Sequence, residues 1–495
     1  MDIALERKLI TSFKKIYSEE KTCEAAADAV VPDTQEDIQR ILSSDYSCTI
    51  KSKDIDSGRI TVRGELHTAV LYLPESESGI SRLDITAPFS AEFLVQEADS
   101  GCFASADIKL TAADTRMLNP RKLSVKAEIG VTAECYKDHS FEWYEVPENA
   151  DAAAFFKTGS TALNTVALAS EKTIALEDEF SLPSATTEYS LLSAAVKAAY
   201  DSSERIGAKL IVRGHLELKA CVSDGAGNVS SLDFSSAFSQ LFELPGDDGE
   251  LSFEVKMLKT GEYFEINNGL LCSDVHVLAQ LVCTQQHEIG YISDAYACGA
   301  TYETEYIELL LPQSLTEQSM NAGLQLRYDS DNGVSKILWS SARVGRTEIK
   351  DGKLSGTVIA EVMFADKNGR PDSCRVRGTV EAEPEMSGDE IISRVNASVS
   401  ELTVIPAGDS IDIRAGVLIS CGSEKTESVT ALSAMSVDEA SVKCDCASLY
   451  IKRAEDEDIW SLAKKYGSSE AAIMRVNGLE EASDALGKML LIPVM

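Results

Sequence analysis

The chain has 495 residues, a net charge of −34, 44% hydrophobic residues and 25% charged residues. Those fractions are ordinary for folded protein, and the length predicts about three to five domains. So large an acidic excess argues against nucleic-acid backbones and anionic membrane surfaces, while a basic protein partner remains compatible.

The N-terminal segment, 1–25, begins "MDIALERKLITSFKKIYSEE". Charges interrupt every apolar run, so no signal-peptide core is expected. No stretch approaches the ~18 apolar residues of a membrane span. These features lead to an expected cytosolic location. After Pro32, "PDTQEDIQRIL" predicts a short helix with acids in its first turn, where the helix dipole favours them.

Three stretches then repeat one pattern: "ITVRGELHTAVLY", "LIVRGHLELKACV" and "GKLSGTVIAEVMF", aligned on Gly64, Gly214 and Gly356. Every second residue past each glycine is apolar or small. The series are Leu66, Thr68, Val70, Tyr72, then Leu216, Leu218, Ala220, Val222, then Val358, Ala360, Val362, Phe364. Period-two alternation marks a strand buried on one face. Each strand meets a turn ("PESESG", "SDGAGN", "DKNGR"), and Asn368-Gly369 is a hairpin signal because both residues tolerate positive φ. The returning strands match in two copies, Asp84 with Asp233 and Phe89 with Phe238. A later strand closes each unit and ends in Cys135, Cys283 or Cys421. The interval from Gly64 to Val125 equals that from Gly214 to Val275, at 61 residues, and Gly356 to Ile413 is 57. An apolar run ending in proline precedes each copy, at Pro32, Pro183 and Pro312.

The expected fold is mainly β: three antiparallel β-sandwich or barrel-like repeats followed by a small β-α-α-β module. The repeats are placed at 26–140, 171–290 and 300–425. An alanine-rich linker is expected at 141–170, a second linker at 426–447, and the module at 448–495.

No catalytic or metal pattern emerges. His67, His139, His215, His276 and His287 form no repeated ligand set, and acidic pairs such as Glu177 and Glu179 are trivial among 80 acids. The twelve cysteines contain no CxxC pair, so Cys135, Cys221, Cys283 and Cys421 read as small apolar residues of strands. "CDC" at 444–446 sets two thiols on one strand face. No cofactor, metal or enzymatic activity is expected.

In the module, "LYI" is a short strand. Ile459, Leu462, Ala463 and Tyr466 fall at helical spacing, Trp460 is expected in the same core, and Gly467 stops the helix. Ser468 or Ser469 caps a second helix with Ala472, Ile473 and Val476 inward. Asn477-Gly478 is a turn before Leu479, and "MLLIPV", with Ile492, closes the module. Its charge is −2, from six cations and eight acids, which leaves −32 for the rest.

The triplicated landmarks resemble SPOCS domains, which occur in spore-forming Firmicutes, over roughly residues 26–425. The module resembles LysM through Trp460-Ser461-Leu462-Ala463, Tyr466-Gly467, Asn477-Gly478-Leu479, Gly487-Lys488, Leu490 and Ile492-Pro493. LysM modules typically bind N-acetylglucosamine chains between two loops, which correspond here to 455–458 and 477–480. The resemblance therefore points to Glu455, Asp456, Glu457, Asp458, Asn477, Gly478 and Leu479 as a groove. The family pattern Gly-Asp-Thr is replaced by Asp456, Glu457 and Asp458. That change adds bulk and charge where a sugar would approach. Three readings stay open: the acids solubilise a loop or start a helix, they meet a basic protein surface, or they meet a glycan. The combination of repeats and module resembles the SipL-like family of spore coat proteins. That resemblance implies a non-enzymatic morphogenesis adaptor at the forespore surface, bound through the LysM module to a SpoIVA-like coat scaffold ATPase. The alternative is a cell-wall or cortex peptidoglycan binder.

Overall fold

The computed structural model describes residues 2–76, 79–147, 154–184, 187–246, 249–312, 316–350, 352–385, 391–424, 426–438, 449–454 and 457–494, and every structural statement refers to these. The molecule is mainly β. After a two-residue strand, β1 (Asp2–Ile3), the first unit holds β2 (Glu6–Val30), β3 (Ile38–Asp56), β4 (Arg59–Pro74), β5 (Ser81–Leu94), β6 (Phe103–Asn119) and β7 (Lys122–Glu145). The second holds β8 (Ala154–Ser181), β9 (Tyr189–Ile206), β10 (Lys209–Asp224), β11 (Val229–Glu243), β12 (Leu251–Asn267) and β13 (Leu270–Ala297). The third holds β14 (Thr301–Pro312), β15 (Thr316–Asp329), β16 (Lys336–Lys350), β17 (Lys353–Ala365), β18 (Pro371–Ala382), β19 (Ile391–Ala407), β20 (Ser410–Glu424) and β21 (Thr426–Asp438).

Each unit is built from two antiparallel sheets. The sheets β3-β4-β5, β9-β10-β11 and β16-β17-β18 are equivalent. They face β2-β7-β6, β8-β13-β12 and β15-β20-β19. Two of these second sheets join into a six-stranded one, where β2 touches β8 only at Phe13 and Val166. The alternation expected in the central strands is realised: all twelve alternating residues, from Leu66 to Phe364, are buried.

The registers make the units equivalent residue by residue. Ser43 pairs with Leu71, Ser193 with Cys221, and Trp339 with Met363. Just before these pairs each first strand bulges, and the extra residues are Leu42, Leu192 and Leu338. A bulge turns its strand locally, which here aims a leucine inward. The three leucines, Leu71, Cys221 and Met363 share one buried cluster with Trp339. The units therefore meet around an approximate three-fold axis. Asp45 lies where they meet, partly buried, and accepts the Ser193 hydroxyl at 2.6 Å and the Trp339 indole N–H at 3.1 Å. One carboxylate thus ties all three units.

The repeat glycines sit at a second irregularity in the same sheets. A Cβ on Gly64 would lie 2.3 Å from Phe89 and 2.4 Å from the Thr49 carbonyl. On Gly214 it would lie 2.4 Å from the Ala199 carbonyl and 2.6 Å from Phe238. The glycines are needed because an aromatic ring and a backbone oxygen occupy the Cβ position. On Gly356 the nearest atom is Val344 Cγ1 at 3.2 Å, so the third site is looser.

Beyond β6, β12 and β19 the outer strands continue as two-stranded ribbons. Residues 137–145 of β7 pair with β2, residues 286–297 of β13 pair with β8, and β14 pairs with β21. The three ribbons pack into a stalk around Trp143, Leu163, Ile289, Leu309, Leu311 and Ala431. β1 pairs with β21, which ties the first unit's start to the third.

Several expectations change here. Residues 154–170, read as linker, belong to β8, and 426–438 to β21. Alternating half-burial along a ribbon was hidden by the alanine-rich composition. Residues 33–35 form a turn and Ile38 to Leu42 start β3 instead of a helix, with Arg121 holding Asp33 and Asp37 at 3.2 and 2.5 Å across that turn. Pro312 is not the counterpart of Pro32 and Pro183: it ends β14, far before the strand's continuation stops at Asp329. Gly369 has φ 79°, while Asn368 keeps negative φ. The turn is organised by the Asp366 carboxylate, which accepts the N–H groups of Asn368 and Arg370 at 2.7 and 2.8 Å. Asp224 does the same for Ala226 and Asn228. The two-residue turn with both φ positive is instead Asn268-Gly269, between β12 and β13. Cys135, Cys221, Cys283 and Cys421 are buried free thiols. Cys444 and Cys446 lie outside the described residues. No described helix is long and apolar enough to cross a membrane.

Candidate functional site

The C-terminal module runs β22 (Leu449–Arg453), α1 (Ile459–Tyr466), α2 (Glu470–Asn477), a short 3-10 turn (Ala482–Ala485) and β23 (Met489–Pro493). The β-α-α-β order is as expected, with the 3-10 turn added. Asp458 caps α1, its carboxylate accepting the Ser461 N–H at 2.9 Å, and Gly467 ends that helix at φ 65°. Ser469 caps α2 and Gly478 ends it at φ 62°. Ile459, Trp460, Leu462, Ala463, Ile473 and Ile492 are buried, with Tyr466 packed against them. Val476, expected inward, is 43% exposed. The inward stripe of α2 instead continues from Ile473 to Asn477. The Asn477 amide donates to the carbonyls of Ile473 and Leu491 at 2.7 Å each and accepts the Leu491 N–H at 2.8 Å. Its side chain is therefore spent on clasping α2 to β23. Leu479 is half-buried against the same core.

The module does not hang free. It docks on the tip of the stalk, where Tyr296, Phe155, Cys298 and Tyr302 join its core. The Trp460 ring meets Tyr296 edge-on at 4.9 Å, and Tyr296 stacks on Phe155 at 5.1 Å. Such aromatic pairs contribute about 0.5–1.5 kcal/mol each beyond their buried area. The Tyr296 hydroxyl donates to the Ser468 carbonyl at 2.9 Å, and burial pushes that phenol up. Asp294 accepts three donors: Trp460 Nε1 at 2.8 Å, Lys464 Nζ at 2.6 Å and Tyr306 OH at 2.9 Å. Burial opposes its ionisation, but the bonds from Lys464, Trp460 and Tyr306 outweigh it and hold the carboxyl below its ordinary range.

The two described acids of the loop are answered from within. Glu455 and Asp456 lie outside the described residues. Glu457 pairs with Lys465 at 3.0 Å and Lys452 at 3.6 Å. Asp458, besides capping α1, pairs with Lys157 of the stalk at 3.0 Å. The Ser461 bond, aided by Lys157, holds its carboxyl at about 2. The first wall of the expected groove thus abuts the protein's own stalk. The structure brings Asp458 to Lys157 and Trp460 to Asp294; it does not turn Asn477 toward that wall. Composition pointed at the acids, but Lys157, which engages Asp458, and Asp294, which engages Trp460, are distant in sequence, and no local pattern announces them.

On the opposite side, β22 and β23 leave an apolar face open, with Leu449, Ile451 and Met489 at 44, 65 and 63% exposure. Elsewhere, a cavity of about 610 Å³ lies between the first two units, lined by His67, Thr68, Asp84, Lys259, Glu262 and Tyr263 among others. Lys259 is already paired with Glu262 at 2.8 Å. No group of acids, histidines and cysteines among the described residues is arranged to hold a metal.

A family model described as "SipL, SPOCS domain" matches residues 37–118, which are β3 to β6 of the first unit. No curated protein and no solved structure matches the chain.

Proposed function

We propose that this protein is a non-enzymatic adaptor of spore coat or envelope morphogenesis. The observation that carries this reading is the match of the first unit to the SipL SPOCS domain, which is a sporulation domain and not a known enzyme family. In this reading the three units, β2 to β7, β8 to β13 and β14 to β21, are all SPOCS-like, and residues 448–495 are a LysM module. The protein acts in the mother-cell cytosol at the forespore surface. The module binds a SpoIVA-like coat scaffold, and the acidic body gives reach.

Protein binding is favoured over glycan binding by the module's surroundings. A glycan groove needs both loops free, whereas Asp458 and Trp460 are engaged by Lys157 and Asp294. The exposed residues Leu449, Ile451 and Met489 instead offer the desolvated centre that a protein contact requires.

Two measurements test the proposal. Fluorescent fusion in sporulating cells is expected to form a ring around the forespore; diffuse signal in vegetative cells rejects it. Pull-down of the full chain on purified peptidoglycan and on a purified SpoIVA-type scaffold is expected to retain it only on the scaffold. Retention on peptidoglycan alone favours the cell-wall or cortex reading.

A further inference from the structure

The three units present equivalent edge strands, and one lacks the protection of the others. Gly64 pairs with Phe89, Gly214 with Phe238 and Gly356 with Val380, which aligns β5, β11 and β18. Along β11 the backbone groups of Leu241 and of residues two apart from it point away from the sheet, because the Leu241 carbonyl accepts Lys172 from outside at 2.9 Å. The equivalent Glu92 carbonyl in β5 accepts Lys21 at 2.6 Å. Edge strands left open invite pairing by another chain, and proteins block them with proline or charge.

In β5 the outward series contains Pro88, which has no N–H to offer. In β18 it contains Arg375, Arg377 and Glu381. In β11 the positions of Arg377, Thr379 and Glu381 hold Ser235, Ala237 and Ser239, all exposed; Asp233 stands at that of Arg375, and residues 234–240 carry no charge. The sandwich-facing row differs too. Ile85 and Phe89 of β5 are each 4% exposed, whereas Phe234 and Phe238 of β11 remain only half-buried.

We propose that β11 pairs antiparallel with β11 of a second copy, so that two three-stranded sheets merge into one of six strands. A two-fold axis at Ser236 sets Phe234 opposite Phe238 of the second copy and Ser235 opposite Ala237. Close aromatic pairs across antiparallel strands are favourable, and small residues let the backbones meet. The segment is thus complementary to itself, which is what a two-fold interface demands. It is also an uncharged stretch in a chain of net charge −34, where two copies approach with least local repulsion. The remaining long-range repulsion is screened by salt, so pairing strengthens as ionic strength rises.

Sedimentation of the full chain over a concentration series, at low and at high salt, tests this. The expected result is a monomer–dimer equilibrium with the dimer favoured by salt. Ala237→Pro, which copies Pro88 at the equivalent position, is expected to weaken dimerisation at least tenfold while circular dichroism and melting stay unchanged. Should that variant misfold, Ser239→Glu, which copies Glu381, sets a carboxylate opposite Asp233 of the second copy and is expected to have the same effect. A chain monomeric at every concentration and salt, or a dimer that survives in a folded variant, overturns the proposal.

Discussion

The Trp460 indole donates its N–H to an Asp294 carboxylate oxygen at 2.8 Å, which makes the residue that most marks the module also its anchor on the stalk. Asp294 accepts Lys464 and Tyr306 as well, so its removal leaves three donors without their acceptor. Asp294→Ala is expected to weaken docking by about 2–4 kcal/mol, the usual cost of breaking a charged, partly buried network. Trp460 fluorescence shifts red and protease cuts between β21 and β22 more readily, while the melting of the β units is unchanged. An unchanged cleavage rate rejects Asp294 as the anchor.

Docking also carries a pH signature. Asp458 is held at about 2 against an ordinary 3.8, and Asp294 is lowered in the same direction. Groups with depressed folded values contribute stability above their unfolded value and lose it as pH falls through the folded one. The module is therefore expected to loosen as pH falls from about 4 toward about 2. Asp458→Asn removes the Lys157 pair, so its docking is expected to be weaker at pH 5 and to change less on acidification. Fluorescence titration of both chains checks this, and parallel curves reject it.

Gly64 and Gly214 were visible in the sequence as landmarks, but their physical role needed the third dimension. Gly64→Ala and Gly214→Ala each force a ring and a carbonyl apart and are expected to cost about 1–3 kcal/mol. Gly356→Ala, with only Val344 Cγ1 at 3.2 Å, is expected to cost less. Denaturant unfolding of the three variants gives the ranking, and equal losses reject the close-approach explanation.

These glycines also show what was legible. Strand alternation is local, so Leu66 to Tyr72 and their counterparts could be placed on a buried face from sequence alone. The module core from Ile459 to Ile492 was legible for the same reason: helical spacing is local. The misreadings arose where distant residues decide. Asp33 and Asp37 looked like acids of a first helical turn until Arg121 bound them. Residues 154–170 looked like linker because their partner strand, β13, begins at Leu270. The engagement of Asp458 was hidden because Lys157 lies 301 residues away.

The axis where the units meet supplies the last prediction. Asp45 is partly buried, and its loss of solvation raises its carboxyl despite the bonds from Ser193 and Trp339. Its charged neighbours are Lys219, whose Nζ lies 4.9 Å from the Trp339 ring, and Glu361, itself held by Arg343 and Arg375. A carboxyl with a raised folded value binds its proton more tightly when folded. The fold therefore loses stability as pH climbs from the ordinary 3.8 toward the raised value. Asp45→Asn keeps an acceptor for Trp339, and Ser193 is able to reverse its hydroxyl toward the new amide. The variant is expected to gain on the wild type as pH rises, and the gap is expected to level off above the raised value. Asp45→Ala leaves Trp339 and Ser193 unpaired and is expected to lie about 1–3 kcal/mol below Asp45→Asn at every pH. Calorimetric melting over about pH 4 to 8 separates these outcomes, since a constant gap between Asp45→Asn and the wild type would mean that the carboxyl is not titrating at the axis.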